Sequence, residues 1–174
     1  MGMHHTSDRI VTVSVSDART PAEDEAGRIV GELLKAAGLG VRRHHLITDD
    51  PDYIRQLVTM VSQSEAEAMI LTGGMGLARH DHTYDVVDSL FEKRVEGFGE
   101  AFRRLSYEET GPLAMLSRAT AGILSGTVIF ALPSNVRAVR LGVEKLIIPV
   151  ISHAMDLASG RTAHPPSSPK LPIA

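Results

Sequence analysis

Short apolar runs alternate along the chain with segments whose apolar residues recur at helical spacing. The runs at 9–15, 68–71 and 126–132 predict interior strands, and a further strand is expected over 41–47. Apolar stripes of helical period follow Thr20-Pro21, Asp50-Pro51 and Pro133-Ser134-Asn135. Strands that alternate with helices predict right-handed βαβ units. We therefore expect an α/β, single-domain, three-layer fold, with a mainly parallel central sheet and helices on both faces.

The pattern is less regular between residues 91 and 123. A short helix is expected from Gly97, and Gly111-Pro112 breaks the chain before a segment that ends at Gly122. A last helix is predicted over 150–158. Four of the nine prolines follow residue 159. The sequence therefore predicts a flexible segment over 1–8, a domain over 9–158, and a Pro-rich tail over 159–174 that is disordered or draped over a neighbour.

A glycine turn links the strand at 68–71 to the helix that carries Val86 and Val87. Gly73, Gly74 and Gly76 let backbone N–H groups approach an anion closely, because no Cβ stands in the way. Asp81 and Asp85 follow, and carboxylates suit a cation better than a phosphate. The turn lacks Gly-Lys-Ser/Thr and the glycine spacing of dinucleotide sites. It predicts a site for a phosphorylated ligand with acidic groups that hold a cation.

Polar residues follow the predicted strands at the places where each strand ends. Parallel sheets bind ligands beyond the carboxyl ends of their strands. Residues 14–17, residues 48–50, the glycine turn and residues 133–135 should therefore converge on one crevice, which suits a phosphate-bearing ligand with a divalent cation. Asp50 precedes Pro51 and is expected to cap a helix, which leaves Asp49 as the better functional candidate. Taken alone, Ser16 and Asp17 could simply turn the chain.

Several basic side chains are ambiguous. His80 and His82 flank Asp81, but an isolated pair of this kind is more often on the surface, so we expect no transition-metal site. The pair His44-His45 lies in a predicted strand and is expected to be structural or exposed. Arg118 suits a phosphate and a carboxylate equally well.

Composition narrows the class of protein. The chain has 174 residues, of which 43% are hydrophobic and 22% are charged, as in ordinary globular domains. A formal net charge of -3 provides no broad basic field, so nucleic acid is not expected as a partner. The absence of cysteine excludes disulfides and thiolate metal sites. No segment is apolar enough for a membrane span or a secretory signal, and we expect a cytoplasmic protein.

Five blocks in the right order carry a resemblance to a known family. They are Val13-Ser14-Val15-Ser16-Asp17-Ala18-Arg19, Leu46-Ile47-Thr48-Asp49-Asp50-Pro51-Asp52-Tyr53-Ile54, the run from Thr72-Gly73-Gly74-Met75-Gly76 to Asp81-His82-Thr83-Tyr84-Asp85, Gly97-Phe98-Gly99-Glu100, and Met115-Leu116-Ser117-Arg118-Ala119-Thr120-Ala121-Gly122. The chain resembles the MoaB/MogA family of molybdenum-cofactor biosynthesis proteins over residues 9–157. The last block looks more like the MoaB branch.

The resemblance implies a molybdopterin ligand and assembly as homo-trimers or homo-hexamers. In the active branch, ATP and Mg²⁺ adenylylate molybdopterin and pyrophosphate is released, so we expect an enzyme of that kind. A MoaB-like oligomer that binds a pterin or nucleotide without efficient turnover is the alternative. By the same resemblance, Asp49 and Asp81 are the catalytic, magnesium-binding pair. The expected ligand-binding residues are Ser14, Ser16, Asp17, Gly73, Gly74, Met75, Gly76, Thr83, Asp85, Pro133, Ser134 and Asn135.

Three residues depart from the family pattern. Met75 stands where the family usually has Thr, which should remove a hydroxyl from the ligand-facing turn. Ser134 replaces a Gly, so its side chain should obstruct a conformation that Gly adopts easily or narrow the approach of a phosphate. Asp85 replaces Glu and shortens the carboxylate arm by one methylene.

Overall fold

A computed structural model describes residues 9–64 and 66–161, which form one six-stranded sheet with helices on both faces. The strands are β1 (Ile10–Val15), β2 (Val41–Ile47), β3 (Ala68–Thr72), β4 (Lys93–Arg94), β5 (Thr120–Leu124) and β6 (Thr127–Leu132). The α-helices are α1 (Glu25–Ala36), α2 (Pro51–Ser62), α3 (Thr83–Leu90), α4 (Glu96–Thr110), α5 (Val136–Gly142) and α6 (Ile151–Ala158). The predicted segment 1–8, and residues 162–174 of the tail predicted over 159–174, lie outside the described residues.

The sheet is parallel except at one edge. Its strand order is β2-β1-β3-β6-β5-β4, and β1, β2, β3 and β6 run parallel, whereas β5 is antiparallel to β6 and β4 to β5. Ser125 and Gly126 join β5 to β6, and both have positive φ, of 50° and 79°. Two central residues with positive φ suit a tight hairpin of right-handed twist. Gly126 therefore belongs to this turn, and the strand begins at Thr127.

The core forms two apolar layers because alternate residues of each strand point to opposite faces. On one face, Ile70 and Phe130 pack with residues of α1, α4, α5 and α6. The rings of Phe98 and Phe130 meet edge to face there, with their centroids 5.2 Å apart. On the other face, Met69 and Leu71 pack with residues of α2 and α3. These layers confirm the predicted three-layer α/β fold.

The middle of the chain is more regular than the sequence indicated. The helix that begins near Gly97 runs for 15 residues because Phe98 and Phe102 anchor its buried face. A 3-10 segment, Gly111–Leu116, follows it, and the unpredicted strand β5 comes next. Beyond α5, a π-helical turn covers Val143–Ile147 and interrupts the helix predicted over that region.

The first helix also begins later than predicted. Thr20 and Glu23 bond to each other, but they enclose only the 3-10 turn Pro21–Glu23. The N-cap of α1 is Asp24, whose side chain accepts a hydrogen bond from the N–H of Gly27. The other carboxylate oxygen of Asp24 lies 2.8 Å from His44 Nε2, so His44 has a structural role, as the sequence allowed.

Among the residues described, no helix combines the length and apolar character that a membrane span requires.

Candidate functional site

The carboxyl ends of the four parallel strands meet at one edge of the sheet. The N–H of Gly73 donates to the carbonyl of Leu132 at the end of β6 (3.0 Å), and the N–H of Ser16 donates to Ile47 at the end of β2 (2.8 Å). Gly73 has a φ of 96° and packs so closely on the carbonyl of Val15 that a Cβ would collide with it. The convergence that the sequence predicted is therefore present, and it requires glycine at residue 73.

Asp49 is a largely buried carboxylate at this edge. Its side chain is 6% exposed, and its Oδ1 accepts a hydrogen bond from the N–H of His82 at 3.0 Å. Its own N–H donates to Asp17 Oδ1 at 2.8 Å, which brings a second carboxylate next to it. Burial raises the pKa of Asp49 above its ordinary value and the charge of Asp17 adds to the rise, whereas the bonds from His82 lower it. Within the described residues, His82 is therefore the basic side chain next to Asp49, and no arginine or lysine pairs with it.

Gly74 brings Asp49 and Thr83 together. It has a φ of 65°, and a Cβ on it would collide with both Thr83 Oγ1 and Asp49 Oδ2. Thr83 is fully buried at the first residue of α3, yet its hydroxyl has no hydrogen-bond partner among the described residues. Because a buried polar group without a partner is costly, this hydroxyl needs a ligand or water to satisfy it.

The glycine turn offers a row of backbone donors. The N–H groups of residues 74 to 77 have no acceptor within the part of the chain that the structure describes. The next N–H, that of Ala78, donates to Asp81 Oδ2 at 3.0 Å. Successive free N–H groups in a turn with positive φ form a concavity that binds anions. The phosphate site itself remains a prediction.

Asp81 closes the turn and lies beside Gly76, where a Cβ would collide with its carboxylate. Within residues 9–64 and 66–161, no group of three or more His, Cys, Asp or Glu side chains has an arrangement that could hold a metal ion. Mg²⁺ is commonly held by one or two carboxylates together with phosphate oxygens of a substrate. A magnesium ion at this edge would therefore need oxygens of a phosphorylated substrate in addition to Asp49 and Asp81.

Arg118 contacts a carboxylate and two carbonyls of the turn. Its guanidinium donates to both oxygens of Asp85, at 2.9 and 3.0 Å, and to the carbonyls of Met75 (3.2 Å) and Gly76 (2.6 Å). It also lies over the ring of Tyr84, 4.5 Å from the centroid. Of the two roles that the sequence left open, the structure shows the carboxylate pair. Asp85, whose side chain is 66% exposed, acts through this arginine.

The expected effect of Met75 on the ligand is wrong. Met75 is 3% exposed and packs in the apolar layer with Val86 and Val87 of α3. Between two glycines, the turn directs the side chain at this position into the core, where a thioether packs well. Only the backbone of Met75 is therefore available to a ligand.

Ser134 causes no backbone strain. Ser125 is the one residue other than glycine with positive φ among the described residues, so Ser134 does not need a conformation reserved for Gly. Its hydroxyl accepts a long bond, 3.5 Å, from Arg19 at the mouth of the crevice. Asn135 caps α5 through Ala138, and Pro133 is half-buried. The narrowing of the crevice by Ser134 remains a prediction.

Ser14 does not line the open crevice. It is buried in β1 and lies 3.4 Å from the hydroxyl of Thr72 on the face that α1 covers. Ser16 is half-buried and its hydroxyl accepts a weak bond from the N–H of Ala18. Asp50 caps α2 through Tyr53, as predicted. The structure therefore brings most of the predicted ligand-binding residues together at the carboxyl edge of the sheet, whereas Ser14 is buried within the sheet.

Sequence reasoning missed the roles of two residues. His82 is the main hydrogen-bond donor to Asp49, and its Nδ1 lies 3.1 Å from the Asp49 carbonyl. Arg19 lies beside Ser134 and has no carboxylate partner among the described residues. The location of Arg19 at the end of the Ser-x-Ser-Asp-x-Arg block was the available signal, whereas no local pattern links residue 82 to residue 49.

Residues 5–153 match a family described as "Probable molybdopterin binding domain". The molybdenum cofactor biosynthesis protein B of Bacillus cereus is 41% identical over 147 residues, which cover 83% of this chain and 87% of that protein.

Solved structures agree in fold. The crystal structure of a molybdenum cofactor biosynthesis protein B matches with a TM-score of 0.83 at 36% identity, over 90% of this chain and 98% of that one. The tungsten cofactor synthesizing protein MoaB from Pyrococcus furiosus matches with a TM-score of 0.78 at 33% identity, over 88% and 98% of the two chains.

Proposed function

Because the chain belongs to the molybdopterin-binding family that includes the molybdenum cofactor biosynthesis proteins B, we propose that it binds molybdopterin and adenylylates it with ATP. The site is the edge of the sheet that carries the glycine turn, Asp49 and Asp81. The ligand's phosphate groups lie against the turn, and the product is the adenylylated pterin with pyrophosphate.

The single observation that carries this proposal is the row of four unpaired N–H groups at residues 74 to 77. Backbone N–H groups bind phosphate oxygens without a side chain that needs to be ordered first. The basic residues Arg19 and Arg79 have no carboxylate partners in the described part of the chain, so they are available to a polyphosphate. A phosphorylated ligand satisfies all of these donors at once.

The reaction requires little covalent chemistry from the protein. A terminal phosphate oxygen of molybdopterin attacks the α-phosphorus of ATP, a new P–O bond forms, and the bond to the β-phosphate oxygen breaks so that pyrophosphate leaves with the electron pair. The glycine turn holds phosphate in line for this attack, and Thr83 Oγ1 can donate to an oxygen at Gly74. Catalysis then depends on alignment and on charge stabilisation.

Asp49 and Asp81 are the residues that would hold magnesium. The bound ion would offset the phosphate charge during transfer. The raised pKa of Asp49 supports this role, because a metal would offset the cost of burying its charge. His82 keeps the carboxylate oriented through its N–H.

The direct test is to incubate the protein with molybdopterin, magnesium and ATP labelled at the α-phosphate. Labelled adenylyl pterin should accumulate together with one pyrophosphate per product. Omission of magnesium and omission of pterin are the controls. Absence of product at enzyme concentrations equal to the pterin concentration would contradict the catalytic proposal.

A second candidate is a binding protein without efficient turnover. The side chain of Ser134 at the mouth of the crevice, in contact with Arg19, favours it, because a narrower approach would hinder ATP more than a smaller phosphate. Pterin binding without product would identify this case. Ser134→Gly should then restore turnover if the narrowing is the cause.

We also propose that the protein assembles as a homo-trimer or homo-hexamer. Several large apolar side chains on α4 and the following 3-10 segment are exposed in the single chain, which supports association: Tyr107, Leu113, Met115 and Leu116. Light scattering of the purified protein should give three or six times the chain mass of 18.7 kDa. A monomer at micromolar concentration would contradict this proposal.

A further inference from the structure

Arg118 makes an unusual number of contacts to the turn that we assign to phosphate. Guanidinium has five N–H donors. Four of them are used within the protein: Nε by Met75, one on Nη1 by Asp85, and two on Nη2 by Gly76 and Asp85. With one donor left and its flat face over Tyr84, this arginine is committed to the protein rather than to a ligand.

We propose that Arg118 is a positioning residue, which aims the N–H groups of Gly76 and Leu77 at the phosphate by holding the carbonyls of Met75 and Gly76. This role rests on the proposed function, because it assumes that a phosphate binds at the turn. It adds a residue from another part of the fold, 42 positions away from Gly76 along the chain.

The direction of these donors follows from peptide geometry. Every peptide bond among the described residues is trans. In a trans peptide unit, the C=O of one residue and the N–H of the next point in opposite directions. When Arg118 draws the Met75 carbonyl toward itself, the N–H of Gly76 must point away from Arg118. The Gly76 carbonyl fixes the N–H of Leu77 in the same manner.

Both N–H groups lack an acceptor within the described residues, so the orientation that Arg118 imposes leaves them available to a ligand. The preceding carbonyl, that of Gly74, is held by the N–H of Tyr84 at 3.4 Å. The turn is thus held at three successive carbonyls, one by Tyr84 of α3 and two by Arg118. Such preorganisation increases affinity because less conformational freedom is lost on binding.

The rigidity of Arg118 comes from α3. Asp85 receives the guanidinium with both oxygens, and the planar fork of arginine matches a carboxylate in this way, whereas lysine cannot. Lysine at this position would keep the charge but could not reach Asp85 and both carbonyls at once. Arg118→Lys can therefore separate the effect of the positive charge from the effect of the orientation that Arg118 gives to the turn.

The test measures binding of magnesium pyrophosphate, the proposed product, by calorimetry on the full chain. Arg118→Lys should weaken binding by about tenfold, because two donors of the turn lose their fixed orientation. Arg94→Lys is the matched control, since Arg94 forks onto Asp88 of the same helix but contacts no carbonyl of the turn. Its affinity should stay within about twofold of the unaltered protein, as expected for an exposed pair.

Chemical rescue separates orientation from charge. Arg118→Ala should lose affinity, and methylguanidinium should restore part of it, whereas methylammonium at the same concentration should not. Equal rescue by both cations would overturn the positioning role, because charge alone would then account for the effect. The thermal midpoint of each variant, measured without ligand, checks that the fold is kept.

Two further results would overturn the proposal. Unchanged pyrophosphate affinity in Arg118→Lys, with binding intact in the unaltered protein, would remove Arg118 from the site and leave the proposed function in place. Tighter binding in Asp85→Asn would show that a released Arg118 binds phosphate directly. Absence of binding by the unaltered protein would overturn the proposed function and this role together.

Discussion

The two edges of the parallel sheet, at the amino and carboxyl ends of its strands, carry similar polar residues. These residues differ in how far the protein itself satisfies their charges and hydrogen bonds. At the amino edge, Glu67 precedes β3 and pairs with Arg9 and Arg161, and these bonds, that from Arg161 most of all, lower its pKa. At the carboxyl edge, Asp49 follows β2 and has the imidazole of His82 beside it but no arginine or lysine partner among the described residues, and burial raises its pKa. The charge of Glu67 is stabilised by two arginines, whereas for Asp49 the cost of burial outweighs the stabilisation by His82.

The hydroxyl groups of two buried threonines show the same contrast. Thr127 at the amino edge donates to the carbonyl of Ala66 at 2.8 Å and also lies 3.2 Å from the carbonyl of Ser62. Thr83 at the carboxyl edge is equally buried and has no partner among the described residues. Native proteins satisfy nearly all buried polar groups, so an edge where a buried hydroxyl is unsatisfied is a candidate for ligand binding. The comparison therefore distinguishes an edge whose polar groups are satisfied within the protein from the edge to which we assign the function.

The largest expected effect separates the glycines of the two edges. Gly73→Ala should lower the free energy of unfolding by about 3 kcal/mol or more, because a Cβ collides with the Val15 carbonyl and φ is positive. Gly126→Ala should cost only about 1 kcal/mol, since its Cβ would lie 3.6 Å from the nearest atom, the Ala158 carbonyl oxygen. Urea unfolding measures both. Equal losses would show that Gly73 is not tightly packed.

The next effect concerns the two carboxylates. Asp49→Asn should reduce adenylyl transfer by about 100-fold or more, while asparagine keeps an acceptor for the N–H of His82. Glu67→Gln should leave turnover unchanged and cost about 0.5–1 kcal/mol of stability, because its arginine partners are largely exposed. Initial rates and unfolding curves test the pair. A similar loss of turnover in both variants would contradict the division between the edges.

A smaller effect is expected from the threonines. Thr83→Val should raise the free energy of unfolding by about 1 kcal/mol, because it removes an unsatisfied buried hydroxyl, and should weaken phosphate binding. Thr127→Val should lower stability by about 1–2 kcal/mol, since two carbonyls lose their donor. Thermal unfolding with and without pyrophosphate measures both quantities. A destabilised Thr83→Val would mean that the hydroxyl is satisfied in solution.

The smallest effect is in the pH dependence of stability, and it has opposite signs at the two edges. The raised pKa of Asp49 lowers the free energy of unfolding at neutral pH, and this penalty disappears as pH falls through that pKa. Asparagine carries no such penalty, so Asp49→Asn should raise the free energy of unfolding at neutral pH, and this increase should shrink in acid. The lowered pKa of Glu67 provides stability at neutral pH that is lost as pH falls through it, so Glu67→Gln should converge with the unaltered protein in acid. Parallel curves for both variants would contradict these pKa directions.

Local sequence patterns could predict the parallel part of the fold and the convergence of the candidate residues at one edge of the sheet. Asp50-Pro51 and the three glycines of the turn determine the backbone of only a few neighbouring residues. Their spacing along the sequence is therefore enough to predict a helix start and a turn. Strand β5 was missed because Gly122 weakens its pattern. Gly122 is required because a Cβ there would collide with the ring of Phe91, a contact that exists only in the folded chain.

The electrostatic character of the site could not be predicted. The pairing of Arg118 with Asp85 spans 33 residues, and the contact of His82 with Asp49 spans the same distance. The side-chain direction of Met75 depends on the turn between two glycines, which placed in the core a residue that we had expected to face the ligand. Tertiary packing determines which polar groups lack a partner within the protein. Local sequence patterns do not predict these tertiary contacts.

The crystal structure of the protein with magnesium and a non-hydrolysable ATP analogue tests the central claim most directly. Phosphate oxygens should lie within hydrogen-bond distance of the N–H groups of residues 74 to 77, with the metal between phosphate and the carboxylates of Asp49 and Asp81. A nucleotide bound elsewhere, with those four N–H groups bonded to ordered water, would contradict the assignment of the carboxyl edge as the phosphate site.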